Sequence, residues 1–122
     1  GLAGGGDPDN RRMMPWAPSD LNPHQENLRT LVSQLGQIRQ ENKVMTRGER
    51  RTISVGDDTW VYRMEGCAGD SPDMTIAINR SDWSKTVYIP AGNFEELLSE
   101  TSTQGGAIEL PPRSVRVYRS AN

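Results

Sequence analysis

The run Gly4-Gly5-Gly6-Asp7-Pro8-Asp9-Asn10-Arg11-Arg12-Met13-Met14-Pro15-Trp16 concentrates more chemistry than any other part of the chain. It combines a glycine stretch, two carboxylates, an amide, two guanidiniums and an indole. Carboxylates and guanidiniums bond to hydroxyls in fixed directions, and an indole offers a flat face to a sugar ring. The mixture suits a loop that grips a polyhydroxylated ligand. The plainer alternative is a solvated turn with internal ion pairs. A ligand loop this close to the first residue has no scaffold ahead of it, so the segment reads as the tail of something larger.

Other reactive residue types are sparse. Asp57-Asp58 and Glu95-Glu96 are adjacent carboxylates, and neighbours on a turn or strand point apart or into water. Cys67 is the single cysteine, so it forms no internal disulfide, and the single histidine, His24, lies far from it in sequence. One histidine and one cysteine are too few soft ligands for zinc. Asp70, Asp73 and Asp82 are too scattered for a calcium loop. Trp83, in the turn Ser81-Asp82-Trp83-Ser84, is a candidate sugar contact. Trp60 sits in a strand pattern and reads as core or interdomain packing.

Net charge is −2 and no basic block occurs, which gives no electrostatic support for nucleic-acid binding. No apolar run is long enough to cross a membrane, so the chain reads as soluble, with the cytoplasm slightly favoured over secretion.

Two patterns position these residues. Residues 1–23 are irregular and rich in proline. After Pro23, the apolar residues Leu28, Leu31, Val32, Leu35 and Ile38 form one stripe of a helix predicted over roughly 24–41, with Asn22 able to cap it. From Glu49 the period changes to two. Strands are predicted near 49–55, 60–64, 74–79, 85–90, 93–99, 107–110 and 114–119, separated by glycine, aspartate and proline turns. Short strands at this spacing indicate an antiparallel sandwich or barrel. A lone helix beside such a sheet needs a partner for its stripe.

With these residues in view, the chain resembles a family. The run from Gly4 to Trp16 is similar to the loop after the eighth barrel strand of α-amylase family glycoside hydrolases, closest to the neopullulanase, cyclomaltodextrinase and maltogenic amylase branch. The helix resembles the eighth barrel helix in its pattern from Leu31 onward. The strands resemble the family's domain C, and Leu110-Pro111-Pro112-Arg113-Ser114-Val115-Arg116-Val117-Tyr118 is similar to its last strand. The resemblance implies a mainly β chain: an antiparallel Greek-key β-sandwich preceded by one amphipathic helix left over from a (β/α)8 barrel. It implies three parts: a barrel loop at 1–23, the last barrel helix at 24–42 and the sandwich at 43–122.

The resemblance also assigns roles. Asp7 and Arg11 are implied to bind sugar hydroxyls on the glycone side of the cleft, with Pro8 stiffening the link between them. Met13-Met14 stands where the family often has proline. Retaining glycosidases need two carboxyl groups about 5–5.5 Å apart. In the family these lie on barrel strands that would precede this chain, so no catalytic residue and no metal ligand is assigned here. The polypeptide alone is expected to be inactive. The implied ligand is an α-glucan (starch, maltooligosaccharides, cyclodextrins or pullulan). No organic cofactor is implied, and calcium is left open for the parent's remaining part. The implied partners are the missing barrel and, through Leu28, Leu31, Val32, Leu35 and Ile38, a second copy of the chain. Two alternatives stay open: a non-catalytic carbohydrate-binding module and a structural β-sandwich.

Overall fold

The computed structural model describes residues 4–8, 10–11, 13–67 and 69–121. Readings that fall on Asp9 and Arg12 therefore lie outside the described residues. The chain divides into two units, Gly1–Gln37 and Ile38–Asn122.

In the first unit a short 3-10 turn, Pro18–Asp20, leads toward the long helix α1 (Pro23–Glu41). Asp20 accepts a hydrogen bond from the Ala17 amide at 3.0 Å, which fixes the entry to that turn. Asn22 caps α1 reciprocally. Its side-chain oxygen accepts the Gln25 amide at 3.0 Å, and the Gln25 side chain accepts the Asn22 amide at 3.0 Å. Two otherwise orphaned donors are satisfied, Pro23 fits the first helical position, and Glu26 faces the positive end of the helix dipole. The predicted start at 24 is thus one residue late. Along the stripe, Leu31 and Leu35 are half-buried, while Leu28 and Val32 are exposed.

In the second unit the last turn of α1 buries Ile38 and ends at Asn42, whose side-chain amide donates to the Ile38 carbonyl at 2.8 Å. A short helix α2 (Val44–Arg47) follows and packs on the sheet with Val44 fully buried. The strands are β1 (Glu49–Val55), β2 (Thr59–Glu65), β3 (Met74–Asn79), β4 (Lys85–Glu96), β5 (Thr101–Leu110) and β6 (Ser114–Ser120). All pairings are antiparallel, in the order β1-β2-β3-β6-β4-β5. β6 returns to lie between β3 and β4, the crossover that makes a Greek key.

Six strands stand where seven are predicted. The segments at 85–90 and 93–99 are one strand, broken only by a register shift between Ile89 and Asn93. Pro90 lacks an amide proton and sits in that irregularity, where its ladder bond is not needed. The bend lets the first half of β4 pair with β5 alone, while Phe94, Glu95 and Glu96 also pair with β6. The two halves of the folded sheet close on Val61, Ala77, Val87, Ile89, Phe94, Leu110 and Tyr118. Phe94 and Tyr118 meet edge to face, with centroids 6.2 Å apart. On the other face of the central strands Met74, Ile76 and Val117 are buried too. Among the described residues, no helix is long and apolar enough to cross a membrane.

Candidate functional site

The glycine-led loop of the first unit closes as a turn. Asn10 donates its amide to the Gly6 carbonyl at 3.2 Å, and Arg11 donates to that of Pro8 at 3.0 Å. These bonds bring Asp7 and Arg11 together: the guanidinium Nη2 lies 2.9 Å from the carboxylate Oδ1. Arg11 and Asp7 remain 74% and 62% exposed at their side chains. An exposed pair of this kind contributes little to stability, because water solvates both ions nearly as well. Ligand hydroxyls can therefore replace either partner at small cost, one accepting from the guanidinium and one donating to the carboxylate.

In the same unit, Met14, Trp16, Leu21, Leu28 and Val32 line an apolar groove of about 390 Å³. Trp16 rims it while staying 83% exposed.

In the second unit the adjacent carboxylates diverge, as strand alternation requires. Glu95 pairs with Arg119 at 2.6 Å on the outside. Glu96 is buried, and accepts from the amides of Leu98, Ser99 and Val117 and from the Ser99 hydroxyl. Burial alone would raise its pKa, but these hydrogen bonds outweigh it and hold the carboxyl below its usual value. Asp58 is tied to Arg80 at 3.2 Å. Cys67 is a free, half-buried thiol. Among the described residues, no group of three or more histidine, cysteine or carboxylate side chains is placed to hold a metal.

Trp60 lies on the outer face of the sheet in a row set by register, Val55–Trp60–Ile78. Tyr62 stacks beside it at 4.6 Å and the Arg50 guanidinium lies 5.2 Å from its centroid, so the indole is engaged locally. Trp83 differs: it is 76% exposed on the turn between β3 and β4. What sequence reasoning missed there is Asn79. Its side chain is buried and donates to the carbonyls of Trp83 at 2.8 Å, Pro111 at 2.9 Å and Leu110 at 3.2 Å. Its oxygen accepts the Ser81 amide at 3.0 Å. The available signal was an Asn-x-Ser sequence at a strand end, a pattern that favours local side-chain-to-backbone bonding.

No protein-family model matches the chain. Related sequences do exist. The chain is 36% identical over 102 residues to an amylopullulanase of Thermoanaerobacter thermohydrosulfuricus, covering 77% of the chain and 6% of that protein. It is 26% identical over 136 residues to a cyclomaltodextrin glucanotransferase of Bacillus sp. (strain 1-1), covering 99% of the chain and 18% of that protein. Among solved structures, an α-amylase from Geobacillus thermoleovorans complexed with acarbose superposes with a TM-score of 0.79 at 22% identity, over 99% of this chain and 27% of that one. An Anoxybacillus α-amylase superposes with a TM-score of 0.77 at 24% identity, over 98% and 26%. By sequence and fold, then, the chain matches a part of α-amylase family enzymes. Its sequence relatives there are amylopullulanases and a cyclomaltodextrin glucanotransferase, and it spans less than a fifth of the length of each.

Proposed function

We propose that the chain is part of an α-glucan-active enzyme of the α-amylase family, in which it supplies a piece of the substrate rim and a stabilising β-sandwich. In this reading residues 1–23 are a barrel loop, 24–42 the last barrel helix and 43–122 domain C. The observation that carries it is the exposed Asp7–Arg11 pair, held at 2.9 Å by a closed turn with a donor and an acceptor both turned to water. The reacting carboxylates belong to the rest of the enzyme, and this chain alone does not hydrolyse glycosides.

The test is steady-state kinetics of the full-length enzyme on maltooligosaccharides. Asp7→Ala and Arg11→Ala should each lower kcat/KM by about tenfold or more, with melting temperature unchanged. Unchanged kinetics in both variants would refute the assignment.

The α1 stripe supports a second element of the proposal. With Leu28 and Val32 exposed and Leu31 and Leu35 half-buried, the isolated chain covers this part of its stripe by self-association, whereas Ile38, expected in the same interface, is already buried within the chain. Sedimentation should show mass rising with concentration, and Val32→Lys should shift it toward the monomer. A monomer at all concentrations would count against it.

A further inference from the structure

We infer that the Trp83 turn is a docking platform for α-glucan chains, distinct from the Asp7–Arg11 rim. The inference rests on the reading of the parent as an α-glucan-active enzyme.

The Trp83 indole stands 76% open to water on an outward turn. Here the backbone beneath it is fixed from several sides. Asn79, only 1% exposed, grips the Trp83 carbonyl from below. The Ser81 hydroxyl donates to the same carbonyl at 2.6 Å and accepts the Trp83 amide at 3.2 Å. The neighbouring turn is stapled on: Arg113 donates its amide to the Ser81 carbonyl at 2.9 Å, and its guanidinium bonds Asp82. The ring is thus presented by a turn with little left to order, which removes much of the entropic cost of binding. Trp60 offers no such stage, because Tyr62 and Arg50 already engage it.

The surroundings define the ligand class. Asp82, Trp83 and Ser84 are all exposed. They join an apolar plane to a carboxylate and a hydroxyl, and Arg113 adds a guanidinium whose charge Asp82 balances. A ligand with an apolar C–H face, a hydroxyl rim and no net charge fits this set, and a sugar ring has that form. A single indole on an outward turn binds one ring weakly. A polymer that offers the same ring many times rebinds before it diffuses away, so long glucans should be held better than short ones.

The experiment is affinity electrophoresis of the 122-residue chain in gels containing glycogen, with maltoheptaose as soluble competitor. Glycogen should retard the parent chain. Trp83→Ala should raise the apparent Kd by about tenfold, as loss of a central aromatic anchor does, and Trp83→Phe should keep part of the binding. Because Trp83 is exposed, Trp83→Ala should melt at the parent temperature, which separates lost binding from lost folding. Asp7→Ala should be retarded like the parent. Each variant's mobility is taken relative to its own in a glycogen-free gel, so that a change in net charge is not read as binding. Absence of retardation, or equal retardation of parent and Trp83→Ala, overturns the platform. Retardation lost in Asp7→Ala but kept in Trp83→Ala would overturn it and leave the rim standing. The rim reading fails separately, through unchanged kinetics of the full-length Asp7→Ala and Arg11→Ala enzymes.

Discussion

Gly105 of β5 lies so close to Pro90 of β4 that a Cβ built on it would stand 1.8 Å from the Pro90 carbonyl oxygen. The contact is backbone to backbone, at the irregularity where β4 bends. Gly105→Ala must therefore push the two strands apart there and is expected to cost about 2–4 kcal/mol. Urea denaturation should show the midpoint falling. Gly36, with open space around its missing Cβ on α1, is the internal control. Gly36→Ala should be neutral or should stabilise the helix by about 0.5–1 kcal/mol, through lower backbone entropy in the unfolded chain.

Glu96 gives the fold an acid-sensitive joint. Its carboxylate is hydrogen-bonded in the native state, so the folded pKa lies below the ordinary value of 4.5. The unfolded chain then binds the proton more tightly. The stability Glu96 contributes is full above pH 4.5 and is lost as pH falls through the folded pKa. Glu96→Gln should flatten this part of the acid-unfolding curve. Glu96→Ala leaves the amides of Leu98, Ser99 and Val117 without their acceptor, and should cost about 2–4 kcal/mol at neutral pH. Thermal melts of both variants across pH 3–7 would check the sign and the order.

Asn79 joins two turns that are distant in sequence. Asn79→Ala should cost about 2–4 kcal/mol, because the Ser81 amide and several carbonyls lose a buried partner. Hydrogen exchange should quicken at the Ser81 and Trp83 amides together with that of Arg113, which donates to the Ser81 carbonyl. Asn79→Asp should be worse at neutral pH, since a carboxylate would face the carbonyls of Trp83, Leu110 and Pro111.

Arg11→Ala should leave stability within about 0.5 kcal/mol of the parent, because its ion pair with Asp7 is exposed. Denaturant titration of the chain checks this, and it is the condition under which the kinetic test of the rim reports on binding alone.

Those four sites show where sequence reading reaches and where it stops. The α1 stripe and its Asn22 cap are legible because helical periodicity and capping are local, set by residues three or four apart. The strand alternation around Ile53 and Trp60 is legible for the same reason. The continuity of β4 is not. Pro90 and Gly92 read as a stop, and only the packing of Gly105 across the sheet shows that the strand bends and carries on. Glu96 reads as surface charge, because nothing nearby in sequence announces the Val117 amide that helps to bury it. Of the candidate sites, the exposure of Trp83 follows from its turn, but the grip of Asn79 on Pro111 spans a separation no local pattern encodes. The pairing of Asp7 with Arg11 is open to sequence reasoning, since a turn places side chains four positions apart near each other.

The position of β6 has a bearing on synthesis. Among the described strands this one comes last, yet it bridges β3 and β4. A ribosome emitting the chain releases β1, β2 and β3 as one hairpin stack and β4 with β5 as another. Neither half can zip to the other until Ser114–Ser120 has emerged. Until that moment the β3 edge and the Phe94 side chain stay without their β6 partners, so this part of the nascent chain is most vulnerable to misassociation just before β6 is delivered.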